Sequence, residues 1–98
     1  MAKATKKLLS KLQSIEELDF ALTCWCTDEK KDPEEYELSD LIDLARCRLE
    51  KFYEPGHTLW ESMNGQHGDE ERRWATKQVA SIQKWIKSAK MELAKAVS

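Results

Sequence analysis

Few residue types able to do chemistry occur in this chain, and most fall in two places. Cys24-Trp25-Cys26 sets a thiol on either side of an indole, and the segment EPGHTLWESMNGQHGD, residues 54–69, holds His57 and His67 with all three glycines. Two cysteines and two histidines are a zinc-ligand set by type. Their spacing fits no common zinc finger, since fingers usually leave two to four residues between cysteines, and here there is one. Geometry adds a second objection. Residues two apart on a helix project about 200° from one another, so if Trp25 continues a helix the two thiols can neither chelate one ion nor form a disulfide. A shared site requires a helix that ends before Thr23, and a small zinc-binding helical domain is kept only as an alternative on that condition.

The other reactive residues favour binding over catalysis. Cys26 reads as a small apolar residue of the core and Cys24 as peripheral. Cys47 shares its helix side with Asp40 and Asp43, not with the cations that activate nucleophilic thiols. Ser62 could be paired with a histidine or an acid, but no catalytic motif, oxyanion hole or glycine-rich phosphate loop accompanies it. The expectation is a protein that is not an enzyme and uses no cofactor and no metal.

These residues must be carried by a small scaffold. With 98 residues, 41% hydrophobic and 35% charged, the sequence predicts one domain spanning 1–98 around one shared core, with residues 1–4 fraying. It contains no run of about 18 apolar residues to cross a membrane, and the basic start MAKATKKLL stops short of a secretory apolar region. Three cysteines without a disulfide framework suit a reducing, cytoplasmic setting.

Periodicity predicts an all-α fold, an antiparallel bundle of three main helices at about 4–28, 33–53 and 70–96, with a short helical turn near 58–64. In the first, Leu8, Leu12, Ile15, Leu18, Leu22 and Trp25 fall within an arc of about 140°. Ser14 and Glu17 offer a capping box that would start a new helix there, but the stripe stays in phase through it, which favours one continuous helix. The second begins with Asp32 as cap, Pro33 at the first position and Glu34 and Glu35 in the first turn, and Pro55-Gly56 stops it. Thr58 and Glu61 suggest a capping box for the short turn. In the third, Ala75, Val79, Ile82, Ile86, Ala89, Leu93 and Ala96 alternate steps of four and three, a seam of the coiled-coil kind.

Apolar residues left off these stripes suggest a second surface. Phe20, Leu44, Trp74 and Trp85, with Trp60 in the connection, are the expected contacts for a partner, a larger protein or a second copy of the chain, because large rings are frequent interface hot spots. Charge is segregated as well. Residues 16–50 carry twelve acids against four basic residues, while 1–12 carry four lysines and no acid, and 72–98 carry seven basic residues against Glu92. Arg73, Lys77, Lys84, Lys87 and Lys95 share an arc of about 80° opposite the third helix's seam, a candidate nucleic-acid surface. The functional expectation is a non-enzymatic protein-interaction module. It would serve as an adaptor, regulator or inhibitor of a larger protein, of the kind that phages and mobile elements carry as accessories acting on host machinery. A nucleic-acid-associated regulator using the basic face is the alternative.

Overall fold

The computed structural model describes residues 2–97 and is all-α, as the periodicity predicts. Its helices are α1 (Lys6–Ser14), α2 (Glu16–Glu29), α3 (Leu38–Lys51), α4 (Thr58–Met63) and α5 (Asp69–Val97). One core cluster gathers residues from every helix, with Leu12, Leu18, Leu41, Ala45, Phe52, Ala75, Ile82 and Ala89 fully shielded from solvent.

The predicted first helix is two helices. Ile15 adopts φ −91° and ψ 111°, which ends α1 and starts α2 while leaving its side chain in the core. The Ser14–Glu17 box is not what restarts the chain: the Ser14 hydroxyl donates to the Lys11 carbonyl at 2.6 Å. The orphan N–H groups of α2 are met in part from α5, where the Gln78 side-chain oxygen accepts from the Glu17 backbone N–H at 3.0 Å. Acids at Glu16, Glu17 and Asp19 suit the dipole of this first turn. At its other end α2 closes on Lys30, which takes the left-handed conformation with φ 55° and ψ 47° and donates its N–H to the Cys26 carbonyl.

The predicted second helix also begins late. Asp32 and Pro33 open a single 3-10 turn, Pro33–Glu35, in which the Glu35 carboxylate accepts from the Asp32 N–H at 2.6 Å. Tyr36 and Glu37 are then extended, which turns the Tyr36 ring inward until it is 3% exposed. Residues 1–4 are expected to fray; among the described ones, Lys3 bridges Glu37, and the Leu38 N–H donates to the Ala2 carbonyl at 2.8 Å. Met1, included in that expectation, lies outside the described residues. Helix α4 is capped by His57 instead of Thr58, with the His57 Nδ1 accepting from the Leu59 N–H at 3.0 Å.

The packing is antiparallel where side-chain pairs reveal direction. Leu8 meets Trp85 while Glu16 and Glu17 meet Trp74 and Gln78, so α1 and the start of α2 descend as α5 ascends. Glu17 meets Arg48 and Glu29 meets Tyr36, which sets α2 against α3. Helix α5 is the long axis of the molecule. Its 29 residues rise about 43 Å at 1.5 Å each, and the longest dimension of the protein is 43 Å.

Candidate interaction surfaces

Cys24-Trp25-Cys26 sits inside α2, three residues before its end, so the thiols diverge as helical phase requires. Cys24 is exposed; Cys26 is half-buried and packs on the core. Burial pushes the Cys26 thiol up from its ordinary value, and the carboxylates of Asp32, Glu34, Glu29 and Glu35 push it further. That is the reverse of an activated nucleophile. Trp25 covers the edge of the core against the Tyr36 ring, with centroids 5.9 Å apart, and the Lys31 ammonium lies 5.4 Å from the Tyr36 ring centre on the solvent side. The histidines are elsewhere: His57 caps α4, and the His67 Nε2 lies 3.3 Å from a Glu61 carboxylate oxygen. Among the described residues no group of three or more His, Cys, Asp or Glu side chains is placed to hold a metal ion.

Of the five expected contact residues, Trp85 and Leu44 are almost wholly buried. Trp85 is 3% exposed, and its indole N–H donates to the Leu8 carbonyl at 2.8 Å, because α5 packs against α1 on the flank of its seam. Leu44 is 2% exposed because α3 is covered by α2 on that side. Trp74 is half-buried, its ring 6.3 Å from that of Phe52 and its N–H on the Glu16 carboxylate at 2.7 Å. Trp60 is half-buried on α4. Phe20 remains, 61% exposed on the outer side of α2.

Phe20 stands over a shallow groove between α2 and α3. Ala21 and Leu44 form its apolar floor, and the exposed thiols of Cys24 and Cys47 line it from opposite helices. Off the main apolar stripes, Phe20 and Leu44 are joined here by Cys47. Its spacing of three residues from Leu44 is the signal that joins it to this face. Beneath one end, Glu17 is 8% exposed and its carboxylate accepts from the Arg48 guanidinium, an ion pair that locks the two helices in register. Glu16 and Asp19 flank Phe20 on α2, and Arg48 and Lys51 line the groove from α3 beside Cys47.

The basic residues of α5 are all exposed, and five of them, Arg72, Arg73, Lys77, Lys84 and Lys95, fall into two groups. Arg73 and Lys77 join Arg72 on an open outer face near the start of the helix. Lys84 turns toward α1 and lines a groove with Lys11, while Lys95 lines its continuation with Lys7. Lys87 is exposed and lines neither. Among the described residues no helix is long and apolar enough to cross a membrane.

The chain matches no protein-family model, no curated protein and no solved structure. Its functional reading therefore rests on its own side chains.

Proposed function

We propose that the protein is a non-enzymatic association module, working in a reducing, cytoplasmic setting, that docks a partner on the α2–α3 face. The observation that carries this reading is Phe20, a large ring left 61% exposed directly over an apolar groove in a chain that buries most of its other aromatic residues at least half-way. Exposed rings beside a concave floor are the usual anchors of an interface. The electrostatics select the partner. The cations lining the groove are engaged, Arg48 on Glu17 and Lys51 on Glu54, while Glu16 and Asp19 flank Phe20 on its α2 side, so the complementary surface is an amphipathic helix whose apolar face meets Phe20 and whose Lys or Arg meets Glu16 and Asp19.

A displayed library of helical peptides tests this directly. Selection should enrich basic amphipathic sequences whose binding is lost on Phe20→Asp and kept on Tyr53→Asp, a substitution of another exposed ring. Enrichment of acidic sequences, or binding indifferent to Phe20, rejects the proposal. Sedimentation of the protein alone identifies the case in which a second copy is the partner, since the dimer would then dissociate on Phe20→Asp.

A further inference from the structure

Helices α1 and α5 meet along a groove whose two walls carry charge of the same sign. Lys7 and Lys11 stand on α1 and Lys84 faces them from α5, with the hydroxyls of Ser81 and Ser88 between and that of Ser14 engaged on the Lys11 carbonyl. Lys11 and Ser88 line both halves of the depression, which makes it one continuous channel. Its floor is fixed, because the buried Trp85 indole ties α5 to the Leu8 carbonyl of α1. One carboxylate, Glu92, lines the far half. In a chain with 18 acids, folding has gathered lysines from segments more than 70 residues apart into one channel, where they repel one another.

We infer that this channel binds the phosphodiester backbone of a nucleic acid without reading its bases. Ammonium groups and hydroxyls are the side chains that donate to phosphate oxygens and position a backbone. Lys7 and Lys11, one turn apart, rise about 6 Å along α1, and Lys84 continues the row from the other wall. Cations strung along a channel fit a linear polyanion. A lone phosphate calls for donors converging on a point, often an arginine fork, and no arginine lines this groove. Base recognition is not provided for, since Trp85 is the one aromatic residue of the lining and its ring is covered, leaving no stacking platform. This surface is distinct from the Phe20 face and does not depend on it.

Fluorescence anisotropy with labelled 20-nucleotide probes of two unrelated sequences, titrated with salt, is the test. The wild-type protein should bind both sequences alike at low salt, and log affinity against log salt should fall with a slope of about −2 to −3, from some three phosphate contacts. Lys11→Gln combined with Lys84→Gln should flatten that slope by roughly 1.4 to 1.8, one increment of about 0.7 to 0.9 per lost contact. Both side chains are exposed, and circular dichroism checks that the bundle is retained. Arg46→Gln, an equal loss of charge on an exposed α3 position, should leave the slope unchanged. The inference is overturned by absent binding at low salt, by an equal effect of Arg46→Gln, or by displacement of the probe by a singly phosphorylated peptide at matching concentration.

Discussion

The side-chain oxygen of Gln78 on α5 accepts the backbone N–H of Glu17 on α2 at 3.0 Å, in a buried position. The cap of one helix is thus supplied by another, 61 residues along the chain. Glu17 in turn binds Arg48 of α3 through its carboxylate, so a single residue fixes three helices. Gln78→Met keeps the length of the side chain and removes the acceptor, which leaves a buried donor unpaired and should cost about 1 to 3 kcal/mol. Thermal unfolding should register it as a fall of roughly 4 to 8 °C per kcal/mol, and an unchanged midpoint would remove this cap from the account of the break at Ile15.

Trp85 separates a core role from a surface role. Trp85→Phe keeps most of the ring but strips the Leu8 carbonyl of its indole donor, at a cost of about 1 to 2 kcal/mol. Trp85→Ala should cost about 3 to 5 kcal/mol, a large part of the stability available to so small a domain. Urea denaturation measures both. A fully stable alanine variant would contradict the buried position.

Alkaline pH should destabilise the fold through Tyr36. Burial first, then the hydrogen bond to Glu29 and the charge of that carboxylate, push the Tyr36 phenol well above its ordinary value. The folded chain therefore keeps this proton at a pH where the unfolded chain, with tyrosine near 10, releases it. The corresponding stability is complete below about pH 10 and is lost as pH climbs beyond it, and the raised Cys26 thiol acts in the same direction. Urea midpoints measured across about pH 8 to 11 should fall, and Tyr36→Phe should flatten the fall while costing about 1 kcal/mol at neutral pH. A profile identical to that of the wild type would refute the assignment.

Lys30→Gly should stabilise the protein. Lys30 closes α2 at φ 55°, a conformation that costs an L side chain about 1 to 2 kcal/mol and costs glycine almost nothing. Allowing for glycine's greater freedom in the unfolded chain, the net gain should be about 0.5 to 1 kcal/mol, read as a higher melting temperature. Lys30→Val should lower it.

The parts of this fold that sequence reading recovers are those whose cause is local. The seam of α5 is visible because Ala75, Val79, Ile82, Ile86 and Ala89 repeat by four and three, and all five are buried. The end of α2 beyond Cys26 follows from the phase of Leu18, Leu22 and Trp25. The break at Ile15 has one local sign, the Ser14–Glu17 pair, but Ile15 keeps the apolar stripe in phase and the group that caps the new helix comes from Gln78. Tyr36 reads as an off-stripe residue of a helix because nothing nearby says that Glu29 will take its hydroxyl at 2.8 Å. The surfaces divide in the same way. Phe20 is legible as surplus, whereas Trp85 looks like surplus only until α5 is seen to touch all four other helices, which widens the arc it must bury, and Leu44 only until α2 is seen to cover that side of α3.

The central place of α5 also sets the order in which the protein can fold. Its bonds to Leu8 and Glu17 close loops of 77 and 61 residues, so they form late, and the bundle should fold more slowly than helical proteins built from neighbouring contacts. During synthesis the segment before Asp69 emerges with the faces that α5 will cover still open to water. Docking of α5 is the step that withdraws those faces from aggregation.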